Sequence, residues 1–275
     1  MTFSYPETTR KALDDVNLDL PNGKLTLICG PSGGGKSTLL RCLPGFVPRF
    51  SKGEFDGEVL LHGESITGRE PRELASSIGM VFQNPEDQVV GATVEADVAF
   101  GPENLGIPLA ELRQRVTQSL SLAGIERLRL EPTRNLSAGQ LQKTAVAGML
   151  AFGPDILVLD EPTSQIDPVS ARELLELLND LVRHAGKTVV LCEHRLETAA
   201  AIADYMAVVA AGKLVAFGPP REILASSNAH EWGLSRPPVL SLALALRERG
   251  QWSAPLPLSV SEFRHSATSR HWPHC

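Results

Sequence analysis

The chain has 275 residues, of which 43% are hydrophobic and 21% charged, and its formal net charge is −6 at pH 7. Such a composition excludes a mainly disordered protein, and the length is sufficient for a sizeable core. The acidic balance argues against a dedicated nucleic-acid-binding protein, because that class usually carries an excess of Lys and Arg. No apolar run is long enough to span a membrane, and the first ten residues lack the apolar core of a secretory leader, so we expect a soluble intracellular protein.

The cysteines and histidines are not spaced as metal ligands. Cys29, Cys42, Cys192 and Cys275 lie far apart and form no C-x-x-C pair, which predicts reduced thiols in a reducing compartment. The seven histidines form no H-x-x-x-H pair with a suitable partner. We therefore expect neither disulfides nor a structural zinc site.

Apolar patterning in the first half of the chain predicts strands, followed by helices. Residues 16–20 alternate apolar and polar side chains, and residues 25–29 (LTLIC) form a second predicted strand. Further strands are expected at 57–63 and 79–83, with a short helix near 70–76. From about 85 to 150 helical spacing takes over, which predicts a helical insertion.

Strand patterns return in the second half, at 155–160 and 187–192, with an amphipathic helix between them. Alternation of strand, helix and strand predicts a parallel sheet covered by helices. From Asn228 onward the composition changes, since Trp232, Trp252 and Trp272 all lie there. These aromatics either pack on the core or dock on a partner.

A glycine-rich stretch at residues 30–37 (GPSGGGKS) fits the pattern G-x-x-x-x-G-K-[ST] between a predicted strand and a predicted helix. The glycines allow backbone N–H groups to turn toward phosphate oxygens, and the start of the following helix adds positive potential. Lys36 can reach the β- and γ-phosphates, and the Ser37 hydroxyl can bind Mg²⁺. The predicted nucleotide-binding residues of this loop are Gly30, Pro31, Ser32, Gly33, Gly34, Gly35, Lys36, Ser37 and Thr38.

Two adjacent acidic residues, Asp160 and Glu161, follow the apolar run at 156–159. A buried strand that ends in a carboxylate is suited to hold nucleotide-bound magnesium, so we predict that Asp160 binds Mg²⁺ through water. Glu161 is placed to accept a proton from the attacking water. Adjacent acids can also cap a helix or form a turn, but the phosphate loop upstream favours the functional interpretation.

With these motifs in place, the sequence resembles the ATP-binding cassette (ABC) family over nearly its whole length. Residues 136–140 (LSAGQ) resemble the family signature, which usually reads LSGGQ, and they precede a predicted helix. The resemblance implies that the signature binds the γ-phosphate of ATP held by another subunit, so that ATP joins two cassettes head to tail. The implied contact residues are Ser137, Ala138, Gly139 and Gln140.

Four more residues match functional positions of the family. Gln83 resembles the Q-loop residue that links the magnesium ion and the attacking water to the helical subdomain, and His194 resembles the switch histidine that contacts the γ-phosphate. Asp167 ends a stretch, SQID, that resembles the D-loop (usually SALD). Tyr5 is placed like the aromatic that stacks on adenine, although it could merely pack. The implied catalytic residues are Glu161, His194 and Gln83. The implied magnesium ligands are Ser37, Gln83 and Asp160.

The resemblance also implies the architecture. The expected fold is the α/β core of a P-loop NTPase, with a parallel sheet, an N-terminal antiparallel β part and an inserted α-helical subdomain at about 85–150. Residues 1–227 would form the nucleotide-binding domain, and residues 228–275 a C-terminal extension.

Residues 82–108 closely resemble the ATPase subunits of energy-coupling-factor (ECF) importers, which take up vitamins or transition-metal ions. Residues 43–59 resemble the N-terminal half of tandem-cassette members. The resemblance implies ATP and Mg²⁺ as cofactors and a location on the cytoplasmic face of the cell membrane. The implied partners are a second ABC ATPase subunit (same or paralogous), a transmembrane coupling subunit and a small substrate-binding membrane protein, with no nucleic acid.

Other functions within the family stay open. They are another ABC transporter (exporter or conventional importer), a soluble repair or translation ATPase, and a nucleotide binder that hardly hydrolyses. Only about 100 residues separate Lys36 from the signature, which leaves no room for the coiled coil of repair members, and Glu161 argues against a non-hydrolysing protein. Ala138 replaces a signature Gly, Gln165 the usual D-loop Ala, and Lys143 a common Arg. These departures favour unequal sites and an unlike partner.

Overall fold

The computed structural model describes residues 1–268. Its strands, in chain order, are β1 (Thr2–Ser4), β2 (Leu25–Cys29), β3 (Glu54–Asp56), β4 (Leu60–Leu61), β5 (Glu64–Ser65), β6 (Ile78–Val81), β7 (Ile156–Asp160), β8 (Thr188–Cys192), β9 (Tyr205–Ala210) and β10 (Lys213–Gly218). Its helices are α1 (Lys36–Cys42), α2 (Phe46–Arg49), α3 (Pro71–Leu74), α4 (Val94–Asn104), α5 (Leu109–Leu122), α6 (Ala138–Ala151), α7 (Pro168–Arg183), α8 (Leu196–Ala199), α9 (Pro220–Ala225), α10 (Pro238–Glu248) and α11 (Val260–Thr268).

The central sheet has the strand order β10-β9-β2-β8-β7-β6. Strands β9, β2, β8, β7 and β6 run parallel, and β10 joins the edge in antiparallel orientation. Every residue of β2 and β8 is buried, which explains why each strand is apolar except for one threonine, because a parallel sheet is covered on both faces. The predicted α/β architecture with a parallel sheet is confirmed.

The two faces of the sheet carry different apolar clusters. On one face, Leu39 and Leu40 of α1 pack with Val158 and Val190 of the sheet, and we call this group the α1-side cluster. On the other face, Leu157 and Leu191 pack with one side of α7, including Leu174, and we call this group the α7-side cluster. Helix α7 begins after Asp167, whose carboxylate accepts hydrogen bonds from the N–H groups of Val169 and Ser170.

The N-terminal β part is smaller than predicted. It consists of two antiparallel pairs, β1 with β3 and β4 with β5. Residues 16–20 do not form the expected strand. Leu18 and Leu20 pack against the α1-side cluster while Asn17 and Asp19 are exposed, so the alternation reflects burial of alternate side chains and not pairing with another strand.

Helices α4, α5 and α6 pack around an apolar cluster of their own, which includes Val98, Leu112, Val116, Leu120 and Ala147. They follow the phosphate loop and β6 in sequence and precede β7. The segment therefore has the helical character that the sequence predicts for residues 85–150.

Residues 229–258 contribute to the same core as the sheet. Trp252 is buried in the α7-side cluster with Leu256 and Leu258, and its ring stacks on Phe263 with centroids 4.9 Å apart. Trp232 packs against this cluster as well, whereas Trp272 lies outside the described residues. Packing thus accounts for two of the three tryptophans.

Candidate functional site

Three loops that carry predicted site residues begin where neighbouring parallel strands end. Strand β8 lies between β2 and β7, with Cys192 opposite both Ile28 and Asp160 in the register. The phosphate loop follows β2, Glu161 follows β7, and His194 lies two residues after β8. The sheet therefore brings the three predicted motifs to one edge, as is usual for ligand sites in α/β folds.

The phosphate loop is closed around the Lys36 side chain. Lys36 is buried, and its Nζ donates hydrogen bonds to the carbonyl oxygens of Gly30 and Pro31, each at 3.0 Å. Gly35 has φ +107°, and a Cβ at this position would lie 2.4 Å from the carbonyl oxygen of Ala12. The turn into α1 therefore requires glycine.

A cleft of about 390 Å³ opens beside this loop. Its lining includes predicted residues from the three loops and a basic N-terminal segment: Tyr5, Thr8, Arg10, Lys11, Ala12, Ser32, Gly33, Gly35, Lys36, Ser37, Thr38, Glu161 and His194. Arg10 and Lys11 were not singled out from the sequence, because two basic residues in a loop form no motif. A larger cleft, of about 650 Å³, is lined by residues 16–20 and 58–63 and contains none of the predicted site residues.

Tyr5 lies at the edge of the phosphate site. Its hydroxyl is 3.1 Å from the Thr38 Oγ1 atom, and its ring makes an edge-to-face contact with Phe3, with centroids 4.9 Å apart. Tyr5 thus both packs in the protein and lines the cleft. The ring can present an aromatic surface to a ligand without giving up either contact.

Ser37 and Asp160 bring two oxygen atoms together at the predicted magnesium site. The Ser37 Oγ atom donates to Asp160 Oδ1 at 3.1 Å. A hydroxyl and a carboxylate are the oxygen ligands that Mg²⁺ prefers, so the residues present fit the ion. Burial raises the pKa of Asp160, while the Ser37 hydrogen bond opposes that shift. The Cys192 thiol also lies nearby, but burial raises its pKa, and a neutral thiol is a poor ligand for a hard cation.

Glu161 and His194 are in direct contact, with Glu161 Oε1 2.8 Å from His194 Nε2. Glu161 has φ +50°, a left-handed conformation that is uncommon for a residue with a side chain. Its N–H donates to the Cys192 carbonyl at 3.0 Å, and its carbonyl accepts from the Ser164 hydroxyl at 2.9 Å. The end of β8 and the turn after β7 thus hold the backbone that directs the carboxylate into the cleft.

Glu193 joins the two loops and was missed by sequence analysis. It is 3% exposed. Its Oε1 accepts from the Thr163 N–H at 3.0 Å and from the Thr163 hydroxyl at 2.6 Å, and its Oε2 accepts from the His194 N–H at 3.2 Å. The available signal was a glutamate between a fully buried strand and His194.

The signature residues lie apart from this cleft. Ser137 caps α6, and it exchanges hydrogen bonds with Gln140 at 2.9 and 3.3 Å. Ser137 and Ala138 are exposed, Gly139 is buried, and none of the four lines the cleft. Ala138 has no positive φ, so replacement of the usual glycine introduces no backbone strain there.

Asp167 and the signature are linked through α7. The Asp167 carboxylate accepts from the Ser170 hydroxyl at 2.6 Å, which lowers the pKa of Asp167 together with the backbone hydrogen bonds. A Cβ on Gly139 would lie 2.5 Å from the Ser170 Cβ and Oγ atoms. Gly139 therefore allows the signature helix to approach the residue that Asp167 holds. Lys143 and Glu173 add an ion pair of 2.7 Å between α6 and α7.

Gln83 is exposed after β6 and is not among the residues that line the cleft. The backbone beside it is fixed instead by two other glutamines. The Phe82 N–H donates to Gln88 Oε1 at 3.1 Å, and the Phe82 carbonyl accepts from Gln142 of α6 at 3.5 Å. The structure thus links the segment containing Gln83 to the helical subdomain.

Comparison with known proteins decides the family. A family model described as "ABC transporter" matches residues 13–164. A "Putative ABC transporter ATP-binding protein" of Methanosarcina acetivorans is 47% identical over 224 residues, which is 82% of this chain and 36% of that protein. The chain belongs to the ABC transporter family. It is therefore an ATP-binding cassette, a domain that binds and hydrolyses ATP.

Two other comparisons concern particular members of the family. The "Energy-coupling factor transporter ATP-binding protein EcfA" of Methanoculleus marisnigri is 40% identical over 240 residues, which is 87% of this chain and 85% of that protein. The solved structure of cbiO1 from Clostridium perfringens, described as "part of the ABC transporter complex cbiONQ", has a TM-score of 0.75 at 32% identity and covers 90% of this chain and 94% of that chain. The resemblance to ECF-type ABC ATPases is confirmed.

The cassette spans less than half the length of the first curated relatives, between 36% and 46% of each. Within residues 1–268, no helix of the cassette is long and apolar enough to cross a lipid bilayer.

Proposed function

We propose that this cassette is the ATP-hydrolysing energy-coupling subunit of an ECF-type importer for a vitamin or a transition-metal ion. The observation that carries the proposal is the match to an EcfA protein over most of both chains. The similarity to a cassette of the cbiONQ complex also supports it. The site residues supply the chemistry.

In this proposal the phosphate loop binds the nucleotide. The N–H groups of residues 30–38 surround the phosphates, and Lys36 exchanges its two loop carbonyl contacts for β- and γ-phosphate oxygens. Tyr5 stacks on adenine at the edge of the cleft. Arg10 lines the same cleft and adds positive charge for the phosphates. Lys11 lines it as well, but its ammonium is paired with Asp14 at 2.7 Å.

Ser37, Asp160 and Gln83 would hold a magnesium ion, which would neutralise developing charge on the phosphates when bound. Glu161 accepts a proton from the attacking water through its carboxylate, and His194 contacts the γ-phosphate. The 2.8 Å contact between the two side chains supports this assignment, since it places both groups on the cleft beside Lys36.

Two cassettes close head to tail around ATP. The exposure of Ser137 and Ala138, which line no part of their own cleft, supports a role for the signature residues Ser137, Ala138, Gly139 and Gln140 toward a second subunit. The Asp167–Ser170–Gly139 contacts connect the D-loop with the signature in the same chain. Hydrolysis then reopens the dimer, and the Q-loop and helical subdomain pass the motion to a membrane subunit.

The proposed partners are a second ABC ATPase subunit, a transmembrane coupling subunit and a small substrate-binding membrane protein, with the cassette on the cytoplasmic face of the cell membrane. The domains are residues 1–227 for nucleotide binding and 228–275 as an extension. Relatives about twice as long as this chain support a second cassette, either fused or separate.

The test is a tagged pull-down of the cassette from detergent-solubilised native membranes, with identification of every co-purifying protein. The proposal predicts a multi-span coupling protein together with a small membrane-embedded binding protein. A transmembrane pair with neither of these would indicate another ABC transporter. Ribosomes, DNA or no membrane protein at all would contradict a role in transport. The Lys36→Ala variant, tagged in the same way, is the control, because it shows which proteins co-purify only when the cassette can bind ATP.

A further inference from the structure

A buried carboxylate that the proposed chemistry does not use joins the two catalytic loops. Glu193 lies between Cys192, whose carbonyl accepts the N–H of Glu161, and His194. Its side chain reaches across to Thr163, two residues beyond Glu161. Two sets of hydrogen bonds therefore join residues 161–163 to residues 192–194, in addition to the Glu161–His194 contact. One runs from the Glu161 N–H to the Cys192 carbonyl, and the other from Thr163 to the Glu193 carboxylate.

All three donors to Glu193 are neutral groups: two from Thr163 and the backbone N–H of His194. Burial of a carboxylate is unfavourable unless hydrogen bonds replace its hydration. Hydrogen bonds to an ionised acceptor are stronger than those between neutral groups. The carboxylate at 3% exposure is thus held tightly to both loops at once.

We propose that Glu193 is a positioning residue for ATP hydrolysis. It fixes the distance between the backbone beyond Glu161 and the backbone of His194, so that the two side chains meet in the cleft. This inference rests on the proposed roles of Glu161 and His194. Glu193 does not line the cleft and acts only through its neighbours.

The chemistry explains why a carboxylate is required. Both oxygens accept, Oε1 from Thr163 and Oε2 from His194. Glutamine has the same shape but a single acceptor, so its NH₂ group must face either the Thr163 donors or the His194 N–H. The donor in that loop would then lose its acceptor and lie opposite the NH₂ group, which is itself a donor.

The predicted consequence is a defect in turnover without a defect in nucleotide binding. The nucleotide is held by residues 30–38 and Tyr5, none of which contacts Glu193 through a hydrogen bond in the described chain. A small displacement of catalytic groups lowers the rate by up to about 100-fold. We expect Glu193→Gln to lower kcat by about 10- to 100-fold, with the Kd for ATP within about twofold of wild type.

The experiment measures kcat and the Kd for ATP in Glu193→Gln, Thr163→Val and the double variant, with Glu197→Gln as the matched control. Glu197 is an exposed glutamate of α8, so its variant should match wild type. Thr163→Ser keeps the hydroxyl and should retain most of the activity that Thr163→Val loses. The double variant should be no slower than the slower single variant, because both changes break one connection.

Wild-type kcat in Glu193→Gln would overturn the inference. So would additive effects in the double variant, or a loss of ATP affinity in Glu193→Gln as large as its loss of kcat. If Glu193→Gln does not fold, the comparison of Thr163→Ser with Thr163→Val decides the same question. Failure of the proposed roles on which the inference rests is distinguishable, because Glu161→Gln and His194→Ala would then release phosphate from ATP at close to the wild-type rate.

Discussion

His194 Nε2 lies 2.8 Å from Glu161 Oε1, although the two residues follow different strands of the sheet. The contact depends on the left-handed backbone at Glu161, which turns the carboxylate out of the line of β7 and toward the neighbouring loop. It brings a carboxylate and an imidazole together on the wall of the cleft that also contains Lys36.

Replacement of His194 tests the role of this contact. We predict that His194→Ala lowers kcat by about 100-fold or more while ATP still binds, because a group that acts on the reacting phosphate contributes mainly in the transition state. The measurements are phosphate release and ATP titration. His184→Ala is the control, since His184 is exposed at the end of α7. Equal rates for the two variants would rule out a direct role for His194.

The phosphate loop is tested through its lysine. Lys36→Ala should weaken ATP binding by about 10-fold or more, because the variant loses the only positive charge that the loop itself supplies to the phosphates, where charged hydrogen bonds are strong. Lys24→Ala is the matched control, because Lys24 precedes β2 at the opposite end of the strand. Binding is measured by calorimetric titration with ATP. Unchanged affinity in Lys36→Ala would contradict the assignment of the loop.

The contact between α6 and α7 predicts different effects for two glycines of one helix. In Gly139→Ala the new methyl group collides with Ser170 at 2.5 Å, so we expect a loss of about 1–3 kcal/mol in the free energy of unfolding and slower ATP turnover. In Gly148→Ala the nearest atom is Asp97 Oδ2 at 3.8 Å. The free energy of unfolding of that variant should rise by about 0.5–1 kcal/mol, as is usual for Gly→Ala inside a helix. Urea unfolding measures both, and destabilisation of the same size in both variants would disprove the specific contact.

Asp97 predicts a pH dependence of stability. It is buried on α4, where its Oδ1 accepts from the N–H groups of Val90 and Gly91 at 2.8 Å each, and burial raises its pKa. Because the folded pKa is higher than the unfolded one, the contribution of Asp97 to stability is complete below the unfolded pKa, near 4, and is lost as the pH rises through the folded pKa.

Asp97→Asn keeps an acceptor oxygen and removes the titration. We therefore expect Asp97→Asn to be more stable relative to wild type at pH 7 than at pH 4. The difference in the free energy of unfolding, variant minus wild type, should be more positive at pH 7. Asp87→Asn, at an exposed site, should show no such difference. The measurement is urea unfolding of the three proteins at both pH values. A larger benefit at pH 4 would reverse the predicted sign.

The sequence indicated the parallel strands well because β2, β7 and β8 are buried and nearly continuous in apolar residues. The motif residues Lys36, Asp160 and Glu161 were also predictable, since their positions relative to strand ends determine where the backbone delivers them.

Other features depend on contacts distant in sequence. The alternation at 16–20 indicates which side chains are buried, but a strand also needs a hydrogen-bonded partner. Glu193 is recognisable only when Thr163, 30 residues away, is placed beside it. The hydrogen bond from Gln142 to the Phe82 carbonyl, which holds the segment of Gln83, joins residues 60 positions apart, and no local pattern specifies it.

The proposed mechanism of ATP hydrolysis depends most on Glu161 as the general base. The most direct test is phosphate release from Mg-ATP by wild type and Glu161→Gln, with ATP binding measured on the same samples and Glu103→Gln, an exposed change on α4, as control. We predict that Glu161→Gln binds ATP normally and turns it over about 100- to 10,000-fold more slowly, because it lacks a general base. Near-normal turnover in Glu161→Gln would contradict the role of Glu161 as the base.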